Sequence, residues 1–437
     1  MSGLKIAVIG GGSSYTPELI DGFIRRAGEL PVAEICLVDI PIGQDKVEIV
    51  AGLARRMMQR AKLKSKVTVS FDRKKALLGA DFVVTQFRVG GLDARARDER
   101  FPLKYGVLGQ ETTGPGGFTK ALRTIPVILD ICQDMADICP DAWLINFTNP
   151  AGLITESVLR YTQIKCIGLC NVPIHMKMTI AKLLDAAADD VFIDFVGLNH
   201  LVWGRRVWLK GMDVTARILA MMQDGAALTM KNIPDLKWDG DFLQALGMVP
   251  CPYHRYYYMT DALLAEEQAA AAPGGAGTRA EVVKMVEARL FELYKDPQLA
   301  EKPAELEKRG GAYYSDAAVS LISAIYNDKR EIHTVNTINR GTISGLPADC
   351  VIETNCVISK NGALPLTVGE LPPELFGLVQ HVKAYEMLAI EAGVHGDRSK
   401  ALQALVNHPL VPSVGVAKQL LADLLLLNAA YLPQFKA

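Results

Sequence analysis

Cys170 closes the short apolar run KCIGLC, and His200 follows VFIDFVGLN. Each falls at the carboxyl end of an expected strand, the side of a parallel sheet on which ligands bind. A thiolate and an imidazole placed there could share a metal ion. Each is also compatible with an inert role, because a buried Cys behaves as a small hydrophobe and a lone His commonly satisfies local hydrogen bonds. A second group lies near the amino terminus, where Gly10, Gly11, Gly12 and Ser13 follow the β-rich run LKIAVI and precede a helical pattern. Glycines in such a turn let the backbone approach a pyrophosphate, whose charge the helix N-terminus favours. Asp39 ends the next strand; a carboxylate there accepts from ribose hydroxyls and disfavours a 2′-phosphate, which selects NAD over NADP. Any tight strand-to-helix turn favours glycine, so the pairing with Asp39 carries this assignment. Tyr15 stands where a third glycine is expected, so the usual close packing of helix on strand is not expected.

The elements that must position these groups alternate between period-2 and helical patterns. Leu4 to Ile9 reads as a strand, Gly10 to Tyr15 as a turn and Pro17 to Ala27 as a helix, with Thr16 as N-cap and Pro17 at the first helical position. A strand from Glu34 to Val38 completes a βαβ opening. Helix Val47 to Ala61, strands Lys66 to Ser70 and Ala80 to Gln86, and helix Thr124 to Met135 follow. Strand Trp143 to Phe147, helix Gly152 to Thr162, strand Cys166 to Gly168 and helix Pro173 to Asp185 complete the series. Strands separated by helices imply an α/β fold, with a Rossmann-like, doubly wound parallel sheet over residues 1–190. The rhythm then changes over 191–437. Strands are expected at Val191 to Gly197 and Val202 to Leu209, helices at Arg279 to Tyr294 and Ala312 to Ile325, and strands near His333 to Ile338 and Cys350 to Ile358. A mostly helical C-terminal stretch follows. The low-complexity segment Gln268 to Gly277 reads as a mobile loop.

Composition narrows the function classes. Among 437 residues, 47 basic and 48 acidic side chains leave a formal charge of −1, which argues against a nucleic-acid stripe or a polybasic membrane anchor. Eight cysteines without a CxxC pair argue against a disulfide framework or a structural zinc site and point to the reducing cytoplasm. The N-terminal apolar run is short for a signal peptide, and Asp423 and Asn428 break the Leu-rich C-terminal stretch, so no membrane span is expected. A small molecule is the expected partner.

Several motifs then agree in order and spacing. GGGSSYTP, the run Arg95 to Gly117, NFTNP at Asn146 to Pro150, CNVP at Cys170 to Pro173, GLNH at Gly197 to His200 and PYHRYYY at Pro252 to Tyr258, with the later NTINRG and HPLV segments, together resemble glycoside hydrolase family 4, the NAD-dependent glycosidases. The resemblance covers nearly the whole chain, and the family stands apart from two-carboxylate glycoside hydrolysis. It implies a C-terminal half built like the α+β domain of lactate and malate dehydrogenases. Cys170 and His200 become ligands of a divalent metal, usually manganese, although a thiolate alone would prefer a softer ion. Tyr253 becomes the proton acceptor, with Glu111 raising its basicity, and Arg95, Asn149 and Arg279 hold the substrate. The adjacent Tyr256, Tyr257 and Tyr258 read as an aromatic wall.

By the same resemblance, NAD takes hydride from carbon 3 of a phosphorylated sugar, the proton on carbon 2 leaves, the aglycone is expelled from carbon 1, water adds and the hydride returns. Members with Asp after the metal-binding Cys act on α-linked sugars. Asn171 occupies that position here, and the CN-x-P form resembles the 6-phospho-β-glucosidases, with a substrate such as cellobiose 6-phosphate. The alternatives are a 6-phospho-α-glucosidase, a 2-hydroxy-acid dehydrogenase and a dinucleotide-sensing regulator without chemistry. The apolar C-terminal helices point to a homodimer or homotetramer.

Overall fold

The run LKIAVI forms strand β1 (Leu4–Ile9) in the computed structural model, which describes residues 3–231, 233–309 and 313–435. Strand side chains alternate between faces. Ile6 and Val8 therefore enter one core, with Leu19, Val50 and Ile322, while Ala7 and Ile9 enter another, with Phe118, Ile125 and Leu375. Each fully buried aliphatic side chain contributes roughly 1.5–3 kcal/mol, so this alternation fixes the strand's register between two helical layers.

Around β1 stand β2 (Val32–Val38), β3 (Lys66–Ser70), β4 (Phe82–Thr85), β5 (Trp143–Asn146) and β6 (Lys165–Gly168). They run parallel in the order β3-β2-β1-β4-β5-β6. This is the doubly wound order, whose ligand crevice opens where the winding reverses, beside β1 and β4. The helices of this half are α1 (Thr16–Arg25), α2 (Gln44–Arg60), α3 (Arg73–Leu77), α4 (Gly91–Arg100), α5 (Gly114–Ile138), α6 (Ala151–Tyr161) and α7 (Asn171–Leu183).

The second half is antiparallel: β7 (Val191–Leu198), β8 (Leu201–Leu209), β9 (Met212–Asp213), β10 (Val249–Pro250), β11 (Glu331–Ile338), β12 (Val351–Ser359) and β13 (Gly362–Pro365). β11 pairs with β6 at Asn336 and Gly168, so among the described residues thirteen strands form one sheet. Its faces are shared between the halves. Helix Tyr314–Tyr326 packs on α1, and helix Pro373–His395 packs on α5.

Several expectations need correction. Tyr15, not Thr16, caps α1, and it makes no side-chain cap hydrogen bond. The Thr16 hydroxyl instead donates to the Gly11 carbonyl at 2.8 Å and accepts from Gln86 Nε2 at 2.7 Å, bracing the glycine turn. The helix expected from Thr124 begins at Gly114, because a Gly- and Pro-rich start that reads as loop is buried against Gln110 and Thr112 and propagates as helix. Gln268 to Ala271 end a helix, Thr260–Ala271, rather than opening a loop. Ala312, the expected start of a helix, lies outside the described residues; the helix is seen from Tyr314.

Candidate active site

The glycine turn has the geometry of a phosphate cradle. Gly10 sits at φ +85°, a conformation that only glycine adopts without strain. The Gly12 amide donates to Asp39 Oδ2 at 2.8 Å, and a Cβ on Gly12 would lie 2.7 Å from that oxygen. The turn and the acidic end of β2 are thus one unit at the start of α1. Ser13 folds over the turn, its amide donating to the Gly10 carbonyl at 3.1 Å and its hydroxyl accepting from Tyr15 N–H at 3.3 Å. Tyr15, in place of glycine, stacks on Tyr314 at 5.8 Å with Arg309 over its ring.

A buried charge cluster lies beside this crevice. Glu111 accepts from Lys120 Nζ at 3.0 Å, pairs with Arg95 at 3.0 Å and pairs with Arg88. Burial opposes ionisation of Glu111, but Arg88, Arg95 and Lys120 outweigh it and hold the carboxyl well below its ordinary range. Burial, reinforced by Arg88, pushes Lys120 down to about 7. Arg95 also pairs with Glu99 at 2.7 Å, and Glu99 accepts the Ala280 amide at 2.6 Å. That contact ties α4 to the amino end of helix Arg279–Lys295, where Arg279 resides. Arg95 and Arg279, with Gln110, Tyr256, Lys231 and Glu267, line a cavity of about 240 Å³.

Cys170, His200 and Tyr253 meet next to the cluster. The rings of His200 and Tyr253 stack at 3.8 Å and 5°. The turn Asn199–His200 joins β7 to β8, and His200 adopts φ +61°, uncommon for a bulky residue and held by the hairpin around it. Cys170 is the N-cap of α7, its sulfur accepting from Val172 N–H at 3.4 Å. Burial, then the Glu353 carboxylate, raises the Cys170 thiol well above its ordinary value. Burial, then Lys120, pushes His200 down to about 3, leaving a neutral ring. Burial, then Cys170 and Glu111, raises the Tyr253 phenol. Asn171 follows as the first residue of α7, and Asn149 precedes α6, its Oδ1 accepting from Ala151 N–H at 3.3 Å.

Could this set hold a metal? His200 Nδ1 is buried without a hydrogen-bond partner, the ring is neutral as a ligand must be, and a sulfur lies in the same cluster. Among the described residues no third His, Cys, Asp or Glu completes a cluster. The pair therefore fits an ion that keeps open coordination positions for substrate oxygens.

Glu267 faces the cavity and accepts the Gly109 amide at 2.8 Å. Burial pushes its carboxyl up to about 7. A raised acid binds its proton more tightly in the folded state, so this stabilisation is full below the ordinary carboxyl range and fades as pH rises through about 7. Glu267→Gln should therefore flatten the dependence of melting temperature on pH across the acid-to-neutral range. An unchanged slope would contradict that environment.

Sequence reasoning missed Arg88, Lys120, Asn199, Asn336 and Glu353. Asn199 lies inside the GLNH motif and Asn336 opens NTINRG, and Glu353 is a carboxylate inside the strand run VIETNCVI; Arg88 and Lys120 carry no such signal.

Two models of one family cover most of the chain: the Family 4 glycosyl hydrolase model matches residues 5–186, and the Family 4 glycosyl hydrolase C-terminal domain model matches residues 195–411. The chain belongs to glycosyl hydrolase family 4. Within this family 4 setting it is 57% identical over 99% of its length, and 98% of the relative's, to a Bacillus subtilis (strain 168) protein named "Probable 6-phospho-beta-glucosidase". It is 47% identical to the 6-phospho-beta-glucosidase of Escherichia coli (strain K12), over 99% and 97% of the two chains. The 6-phospho-beta glucosidase of Thermotoga maritima, solved with NAD and glucose-6-phosphate, superposes with a TM-score of 0.89 at 38% identity over 98% and 99% of the chains. The same Thermotoga enzyme has been solved with manganese, NAD+ and glucose-6-phosphate. At the level of fold alone, a lactate dehydrogenase of Eimeria maxima matches with a TM-score of 0.53 at 15% identity over 91% and 96% of the chains. The family 4 chain thus combines a Rossmann-like sheet with a second half of lactate-dehydrogenase type, as expected.

Proposed function

We propose that this chain hydrolyses 6-phospho-β-glucosides to glucose 6-phosphate with NAD and a divalent ion, manganese being the candidate. The observation that carries this is the meeting of Cys170, His200, Tyr253 and Glu111 in one buried cluster beside the dinucleotide crevice. Full-length relatives named for this activity, one of them solved with NAD, manganese and glucose-6-phosphate, support it. When bound, the nicotinamide supplies a reversible hydride acceptor for carbon 3 and the ion supplies Lewis acidity beside it.

The protein's own groups do the rest. Gly10, Gly11, Gly12, Ser13 and Asp39 hold the dinucleotide. Arg95, Asn149 and Arg279 orient the sugar, a guanidinium being suited to two phosphate oxygens at once. Cys170 and His200 would hold the ion. Tyr253 removes the proton from carbon 2; the Glu111 carboxylate beside it makes the phenolate, once formed, a stronger base, while Arg95 limits the cost of forming it. Asn171 offers no carboxyl proton, so it orients groups at the start of α7 and leaves departure of the β-linked aglycone to another donor. Residues 1–190 serve as the dinucleotide-binding part and 191–437 as the substrate and oligomerisation part of a homodimer or homotetramer. Among the described residues no helix is long and apolar enough to cross a membrane, and the eight buried free thiols suit a reducing cytoplasm.

Turnover of a 6-phospho-β-glucoside in heavy water tests the reaction. Deuterium is expected at carbon 2 of the released glucose 6-phosphate, and product without it excludes the elimination route. Selective turnover of the α-linked isomer would instead favour a 6-phospho-α-glucosidase.

A further inference from the structure

Cys170 and His200 sit on different halves of the chain, and something must fix their separation. One row of residues runs straight across the sheet between them. Gly168 of β6 pairs with Asn336 of β11, Asn336 pairs with Glu353 of β12, and Glu353 pairs with Gly197 of β7. Cys170 lies two residues beyond one end of this row and His200 three beyond the other.

The middle of the row is polar where a sheet interior would ordinarily be apolar. Glu353 is 0% exposed, and its Oε1 accepts from Asn336 Nδ2 at 2.8 Å and from Asn199 Nδ2 at 3.2 Å. Asn199 precedes His200 in the hairpin turn, and its side chain lies close enough to Cys170 to favour the thiolate. Glycines keep the space open: a Cβ on Gly168 would lie 2.9 Å from the Asn336 Cβ, and one on Gly152 would lie 2.8 Å from the Asn199 Cβ. A buried carboxyl with two amide donors on one oxygen is costly to maintain unless its geometry is used.

We propose that Glu353 is a positioning residue. Through Asn199 it locks the His200 turn to the Cys170 thiol and so sets the spacing of the two ligands before any ion arrives. This rests on the assignment of Cys170 and His200 as the metal pair. Groups one shell away from a metal typically change affinity by about 10–100-fold when removed.

The test compares Glu353→Gln, which keeps an oxygen for both amides, with Glu353→Leu, which keeps volume and loses the acceptor. Three readouts are taken on the full chain: Mn²⁺ affinity by loss of the free-ion EPR signal, NAD⁺ affinity, and the alkylation rate of Cys170 against a Cys170→Ser control. Glu353→Leu is expected to weaken Mn²⁺ binding by about 10–100-fold and to change the Cys170 alkylation rate. NAD⁺ affinity should hold, and Glu353→Gln should recover most of the Mn²⁺ affinity. Mn²⁺ affinity and Cys170 reactivity unchanged in Glu353→Leu would overturn the proposal. So would parallel loss of Mn²⁺ and NAD⁺ binding, the mark of a generally structural role, or failure of Glu353→Gln to recover binding. If the unsubstituted protein holds no Mn²⁺, the metal assignment fails, and the alkylation rate alone decides whether Glu353 positions the thiol.

Discussion

Tyr253→Phe is expected to lower turnover of a 6-phospho-β-glucoside by about 10²–10⁴-fold, the range that a placed proton acceptor contributes. The substitution removes one oxygen and leaves the ring, so the 3.8 Å stack on His200 persists and the hairpin turn keeps its support. Thermal stability and NAD⁺ affinity should therefore hold. The informative measurement pairs steady-state kcat with washout of a deuterium label from carbon 2 of the substrate. Both should fall together, because the proton acceptor acts on that bond. A Tyr253→Phe protein with full turnover would assign the proton to another group.

Glu111→Gln should be strongly destabilising. Glu111 is the anion shared by Arg88, Arg95 and Lys120, and Arg95 and Lys120 are each only 3% exposed. Taking one partner from a buried pair costs roughly 3–5 kcal/mol, because the remaining charge stays desolvated. Denaturant titration should show that loss, with activity falling as well. Adding Lys120→Met should recover part of it, since one buried cation is removed with the anion. Additive losses in a double-mutant cycle would mean that the two groups are not coupled.

The sheet of the first half is legible because its strands obey a simple rule: Ile6 and Val8 face one layer, Ala7 and Ile9 the other. The strand ends that carry Asp39, Cys170 and His200 follow from the same pattern. What hides is helix α4 and the first turns of α5. These elements bury Arg95, Asp98, Glu99 and Lys120, so their apolar face carries charge and hydrophobic periodicity gives no signal. Charge pairing between α4, α5 and the segment holding Glu111 is a tertiary fact, and spacing along the chain does not encode it. The row through Asn336 and Glu353 is hidden for a related reason. It depends on antiparallel register with strands 168 and 156 positions away, Asn336 against Gly168 and Glu353 against Gly197, and although NFTNP, CNVP, GLNH and NTINRG stand out as motifs, nothing along the chain says that they meet in one row.

Sharing of cores between the halves bears on biogenesis. One layer over β1, β2 and β4 is completed by Ala318, Leu321 and Ile322, and the other by Leu375, Val379 and Ile390. A ribosome releases the first six strands long before those side chains exist, so the nascent polypeptide carries two uncovered apolar surfaces. A fragment truncated after residue 190 should aggregate or bind holdase chaperones rather than stand alone.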